Sequence, residues 1–143
     1  MTEVSRIPVN VPVTASESLQ EGYLVKKDTG NTVTIATTVD DAVFGVVDQT
    51  PTDGEATART TNSGERIGIF PMGCGKIVNV ASVSGDTYTL NDAVYMGQTA
   101  DTDGYCSNDS SNSATKIGHC MEAVTTASAG ELIQVILDVD GSA

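Results

Sequence analysis

The chain has no tryptophan, one histidine, and seven cationic side chains against nineteen acidic ones, for a formal net charge of -12. So few Lys and Arg residues exclude a nucleic-acid partner, because phosphate binding needs clustered cations. The same shortage argues against an anionic membrane surface. No apolar run reaches the roughly 18 residues of a membrane-spanning helix. The first residues lack a basic stretch followed by an apolar one, so no secretion signal is expected. The three cysteines, Cys74, Cys106 and Cys120, are odd in number and widely spaced, which is not a disulfide framework. Aromatic residues make up 4%, so any core must be built from Val, Ile, Leu and Ala. With 39% hydrophobic and 18% charged residues in a chain of 143, that core is feasible. The length suits a single domain.

What is present reads as β. Thr and Val dominate, Gly punctuates short apolar segments, and no segment sustains a helical apolar period. Tyr23-Leu24-Val25-Lys26-Lys27, the turn Asp28-Thr29-Gly30-Asn31 and Thr32-Val33-Thr34-Ile35-Ala36 predict a hairpin with Val33 and Ile35 on one face. Further strands are predicted at residues 43–47, 66–70, 76–81, 93–96, 117–124 and 132–139, with a weaker edge strand at 55–60. Their short, regular spacing predicts an all-β fold, a small β-barrel or β-tulip or sandwich. Residues 101–114, rich in Asp, Ser, Asn and Gly, are expected to form a long polar surface loop. Ile7-Pro8-Val9-Asn10-Val11-Pro12-Val13 alternates valines with two prolines, which remove ladder donors; it is expected to be extended or an edge.

Three short blocks recur in order. Leu19-Gln20-Glu21-Gly22-Tyr23-Leu24-Val25 aligns with Leu90-Asn91-Asp92-Ala93-Val94-Tyr95-Met96. Phe44-Gly45-Val46-Val47-Asp48 aligns with Ile117-Gly118-His119-Cys120-Met121-Glu122, and the Gly64-Glu65 block with the Gly130-Glu131 block. The matches predict two similar β-units around one core, at residues 19–70 and 90–137. Residues 1–14 are then an extended N-terminal arm, and 15–143 a single β domain.

Motifs that would carry chemistry are few. His119 lies on a strand suited to the core and is expected to be structural. No GxSxG elbow, GxGxxG or GxxxxGK[ST] occurs. Gly73-Cys74-Gly75-Lys76 resembles a phosphate loop superficially, but a strand follows it. Asp101-Thr102-Asp103-Gly104 echoes a calcium loop without its remaining ligands. A zinc site of Cys74, Cys106, Cys120 and His119 lacks any CxxC pair. Paired acids such as Asp40-Asp41 have no partner pattern for acid–base work and read as surface residues. The expectation is a protein that is not an enzyme and has no cofactor and no metal.

The succession Leu19 to Val25, Val43 to Asp48, Gly64 to Ile69, Asp92 to Met96, Ile117 to Ala123 and Gly130 to Val135 resembles the small decoration, or cement, proteins of tailed-bacteriophage heads. The resemblance covers most of the chain. It implies a compact β domain on the outer surface of an icosahedral capsid, made in the bacterial host cytoplasm and carried on the virion. It also implies the major capsid protein as partner, a homo-oligomer with a trimer favoured, and stabilised contacts between capsomers. Ile7, Pro8, Val9, Val11, Pro12 and Val13 are the candidate arm contacting the capsid or a neighbouring subunit by strand addition. The competing expectation is a receptor- or carbohydrate-binding β domain, for which Tyr105 in the polar loop is the plausible contact.

Overall fold

The computed structural model describes residues 11–48, 62–98 and 104–138. The protein is all-β. Five strands, β1 (Val11–Ala15), β2 (Leu24–Lys27), β3 (Thr32–Ile35), β4 (Gly45–Asp48) and β5 (Arg66–Pro71), close a barrel in the order β1-β3-β2-β4-β5. A second barrel is formed by β6 (Ile77–Ser82), β8 (Ala93–Met96), β9 (Cys106–Ser107), β10 (Lys116–Cys120) and β12 (Glu131–Ile136), in the order β10-β12-β6-β9-β8. Two short strands, β7 (Thr87–Tyr88) and β11 (Val124–Thr125), pair as a separate ribbon. The weak strand expected at 55–60 lies outside the described residues.

Alternation drives each strand. Val25, Val33, Val47, Ile67 and Ile69 point into the first barrel with Val13, Ala15 and Leu19, and all eight are buried. Val78, Val80, Val94, Cys106, Cys120, Ile133 and Val135 belong to the core of the second. Each fully buried Val, Leu or Ile contributes about 1.5–3 kcal/mol relative to exposure. The β2–β3 hairpin forms as expected, its turn tied by Asp28 N–H to Thr32 C=O at 2.9 Å and Thr32 N–H to Thr29 C=O at 3.2 Å.

The two barrels have one topology. Replacing β1, β2, β3, β4 and β5 by β6, β8, β9, β10 and β12 reproduces every pairing and its sense, including the parallel pairs β1–β3 and β6–β9. Loop hydrogen bonds match as well. Gly64 N–H donates to Ala15 C=O as Gly130 N–H does to Ser82 C=O, both at 2.8 Å. Gly22 N–H donates to Val47 C=O at 3.1 Å, and Asn91 N–H to Cys120 C=O at 2.7 Å. These bonds shift one sequence alignment by two residues. Gly22 corresponds to Asn91, not Ala93, and both have positive φ, 89° and 73°. Asn enters the left-handed region more readily than most non-glycine residues, so the turn keeps its shape without keeping its glycine.

Three expectations are corrected. The two units do not enclose one shared core, because each closes into its own barrel with its own buried cluster. Val11, Pro12 and Val13 do not belong to an arm: they lie in β1, paired with Ile69, Gly68 and Ile67 of β5, and β1 is the counterpart of β6 inside the repeat. Pro12 is tolerated because β3 joins the other side of β1 only at Thr14 and Ala15. Ile7, Pro8 and Val9 lie outside the described residues. The polar stretch after residue 103 is not merely a surface loop. It contains β9, with Cys106 and Ser107 buried, and a short 3-10 turn at Ser111–Ser113. Asp86 makes that burial possible by accepting from Ser107 Oγ at 2.7 Å and from Asn108 N–H at 3.0 Å.

Candidate interaction surface

Side chains that alternate with the barrel interiors form transverse rows on the outside. In the first barrel the register aligns Leu24, Val46 and Phe70 across β2, β4 and β5. Leu24 and Val46 are fully buried, and with Ala36 they join the core cluster of the second barrel. The row is therefore covered by the second barrel. Polar contacts cross that seam. Leu24 N–H donates to Gly104 C=O at 2.7 Å, Ala81 N–H to Gly22 C=O at 2.9 Å, and Asn79 Nδ2 to Glu21 Oε2 at 3.0 Å. Thr115 adds two by donating its N–H to Val39 C=O at 3.0 Å and its Oγ1 to Asp41 C=O at 2.7 Å. Gly22 is required here: a Cβ would stand 2.6 Å from Leu132 Cδ2 and 2.8 Å from Ala81 N.

The corresponding row of the second barrel is Ala93, His119 and Ile136, extended by Ile77 on β6. Among the described residues nothing closes over it as the second barrel closes over the first, and Ala93, His119 and Ile136 are half-buried. Ile77 is 51% exposed, and Leu90, in the turn that answers to Glu21-Gly22, is 67% exposed. His119 points outward and its Nδ1 lies 2.7 Å from Asp138 Oδ2. Asp92 sits beside Leu90, where the Thr89 backbone N–H at 2.7 Å holds its carboxyl below the usual carboxylate range.

On the first barrel, a shallow groove of about 100 Å³ is lined by Lys27, Asn31, Thr32 and Phe44, with Val13 and Val33 at its floor. Lys27, Asn31 and Phe44 occupy the positions that Met96, Gly104 and Ile117 hold in the second barrel. Those second-barrel positions are where Leu24 docks. Exposed Arg66 stands where Leu132 stands.

The other candidates are dispersed. Cys106 and Cys120 face the second interior while His119 faces out on the same sheet, so the imagined zinc set does not converge. Among the described residues no group of three or more metal-ligating side chains occurs. Burial pushes the Cys106 thiol up to about 12 and the Tyr88 phenol well above its ordinary value. Tyr88 is the counterpart of Leu19, and its hydroxyl is accommodated by Ser82 Oγ at 2.8 Å. Tyr105 packs edge-on against Tyr23, with ring centroids 5.8 Å apart, instead of standing free in a polar loop. Asp41 is engaged structurally, accepting from the Thr37 and Thr38 N–H groups and meeting Lys26 Nζ at 3.3 Å.

Sequence reasoning missed the row and its exposed turn. The signal present was Leu90 itself, a large apolar residue in a turn between polar neighbours. It was obscured by aligning Leu90 with the buried Leu19.

These features define a tandem of two like five-stranded barrels with a half-apolar face that is uncovered among the described residues. No family model matches the chain, and no curated protein matches it in sequence. A solved structure, the N base of head fiber gp8.5 in bacteriophage phi29, is similar with a TM-score of 0.53 and 15% identity, over 90% of this chain and 92% of that one. At that identity the likeness is one of fold. Among the described residues no helix is long and apolar enough to cross a membrane.

Proposed function

We propose that the protein is a structural component of a tailed-phage head, a decoration protein that binds the outer surface of the icosahedral shell and stabilises contacts between capsomers. The observation that carries this reading is a fold shared over nine-tenths of both chains with the base of a phage head fiber. The residue pattern that resembles cement proteins points the same way. Its partner is the major capsid protein, its place the outside of the virion, and its action is binding, without a catalytic step or cofactor.

Physical chemistry supports the role. The two closed barrels have no open sheet edge, so among the described strands only the two-residue strands of the β7–β11 ribbon offer crowded copies an edge to pair with. The net charge of -12 keeps neighbouring outer faces apart in solution. The face that meets the shell must then be poorer in carboxylates than the rest.

Mixing the purified protein with expanded, undecorated heads tests the proposal. Saturable binding at symmetric external positions, counted by sedimentation and seen by electron microscopy, is expected, along with heads that resist heat better. Heads that sediment without the protein would overturn it.

A further inference from the structure

We propose that the row Ala93–His119–Ile136–Ile77, with the Leu90 turn, docks on the first barrel of a second copy of this chain, over the groove beside Lys27 and Phe44. This names the contact behind the homo-oligomer implied by the cement-protein resemblance, and it does not depend on capsid binding.

The argument is the repeat itself. Within one chain, the outer row of a barrel and its adjoining turn already seat on the next barrel. Leu24, Val46 and Gly22 make the offering side, and Gly104, Ala81 and Leu132 stand on the receiving side. The second barrel repeats the offering side and leaves it exposed at Ile77 and Leu90. The first barrel repeats the receiving side and leaves a groove there. The contact between copies is thus the continuation of the contact inside the chain, applied once more by the same rotation.

The substitutions between the two versions are mutually consistent. Inside the chain, Gly22 fits against Leu132, an apolar contact. Between copies the same two positions are Asn91 and Arg66, a polar contact. The offering side carries Asp92 and Asp138, and the receiving side carries Lys27 and Arg66, so the charges are complementary in a chain whose net charge otherwise opposes association. A contact between two different patches is heterologous and builds a ring or an open chain, not a two-fold dimer.

Two exposed-surface variants test this by sedimentation equilibrium. Leu90→Lys with Ile77→Lys places cations opposite Lys27 and Arg66. Lys27→Glu with Arg66→Glu places acids opposite Asp92 and Asp138. The unsubstituted chain is expected at a multiple of its monomer mass and each variant at one chain mass, with thermal midpoints close to the parent. Mixing the two is expected to restore an association that neither shows alone, because each retains one native half of the contact. If a double variant melts early, Leu90→Lys alone, in an exposed turn, replaces it. A monomeric parent, a variant of either side that keeps the parent mass, or a mixture that stays monomeric overturns the inference. Head occupancy is measured separately. A monomer that binds heads sinks this contact and leaves the head-binding role standing, whereas an oligomer that ignores heads does the reverse.

Discussion

Gly118 has no room for a methyl group. A Cβ there would lie 1.9 Å from the carbonyl oxygen of Ile136, and at the corresponding Gly45 it would lie 2.3 Å from that of Phe70. Both obstacles are backbone, so neither can rotate away. Gly45→Ala and Gly118→Ala are each expected to cost about 3 kcal/mol, at the upper end of overpacking, read from urea denaturation midpoints. Cys106 gives a pH signature. Its thiol ionises near 9.0 when free and is held up to about 12 by burial. From pH 9 upward the unfolded chain loses that proton while the folded chain keeps it. The stabilisation from keeping this thiol neutral is therefore complete below pH 9 and is lost towards pH 12, with a slope up to about 1.4 kcal/mol per pH unit. Cys106→Ala should flatten that alkaline slope in denaturation curves taken across the range. In the native protein, half-buried Cys74 should react with a thiol reagent before Cys106 and Cys120.

At the scale of the element, β1 decides how an N-terminal deletion is read. Removing residues up to Val13 takes out most of a strand that pairs with both β5 and β3, so lost head occupancy would follow from an opened barrel. Deleting only residues 1–10 leaves β1 whole. The longer deletion is expected to abolish the cooperative thermal transition of the first barrel, while the shorter one preserves it, as calorimetry would show. The main strands were legible because Val and Ile alternate at β3, β5 and β12 and turns bracket them. Strands β7 and β9 were not, being two residues long and supported by distant partners. Asp86 bonds Ser107, and Ser82 bonds Tyr88, neither of which leaves a periodic trace. Proline misled at β1, since a strand paired on one side at that point accepts it. Of the interaction surface, the turn left one signal in the sequence, Leu90, hidden by its alignment with buried Leu19, and the row left none. Ala93, His119 and Ile136 become neighbours only through register.

For the whole molecule, acidity and the docking contact oppose each other. Repulsion between copies of net charge -12 acts over a Debye length of about 10 Å at 0.1 M salt, whereas the apolar part of the contact does not depend on it. Salt also screens the attraction of Asp92 and Asp138 to Lys27 and Arg66, but exposed pairs of this kind each contribute little and the repulsion acts between whole molecules of net charge -12. Self-association is therefore expected to strengthen as salt rises from low values, measured as weight-average mass against ionic strength. The covered row Leu24–Val46–Phe70 has a further consequence during synthesis. The first barrel is complete once β5 has been made, but the partner that covers its apolar flank needs β12, sixty-five residues later, because β6 waits for that strand. In the interval the nascent chain carries a finished barrel with a bare apolar side. The order of translation thus makes this seam, settled last, the place where a stalled or truncated chain would stick to its neighbours.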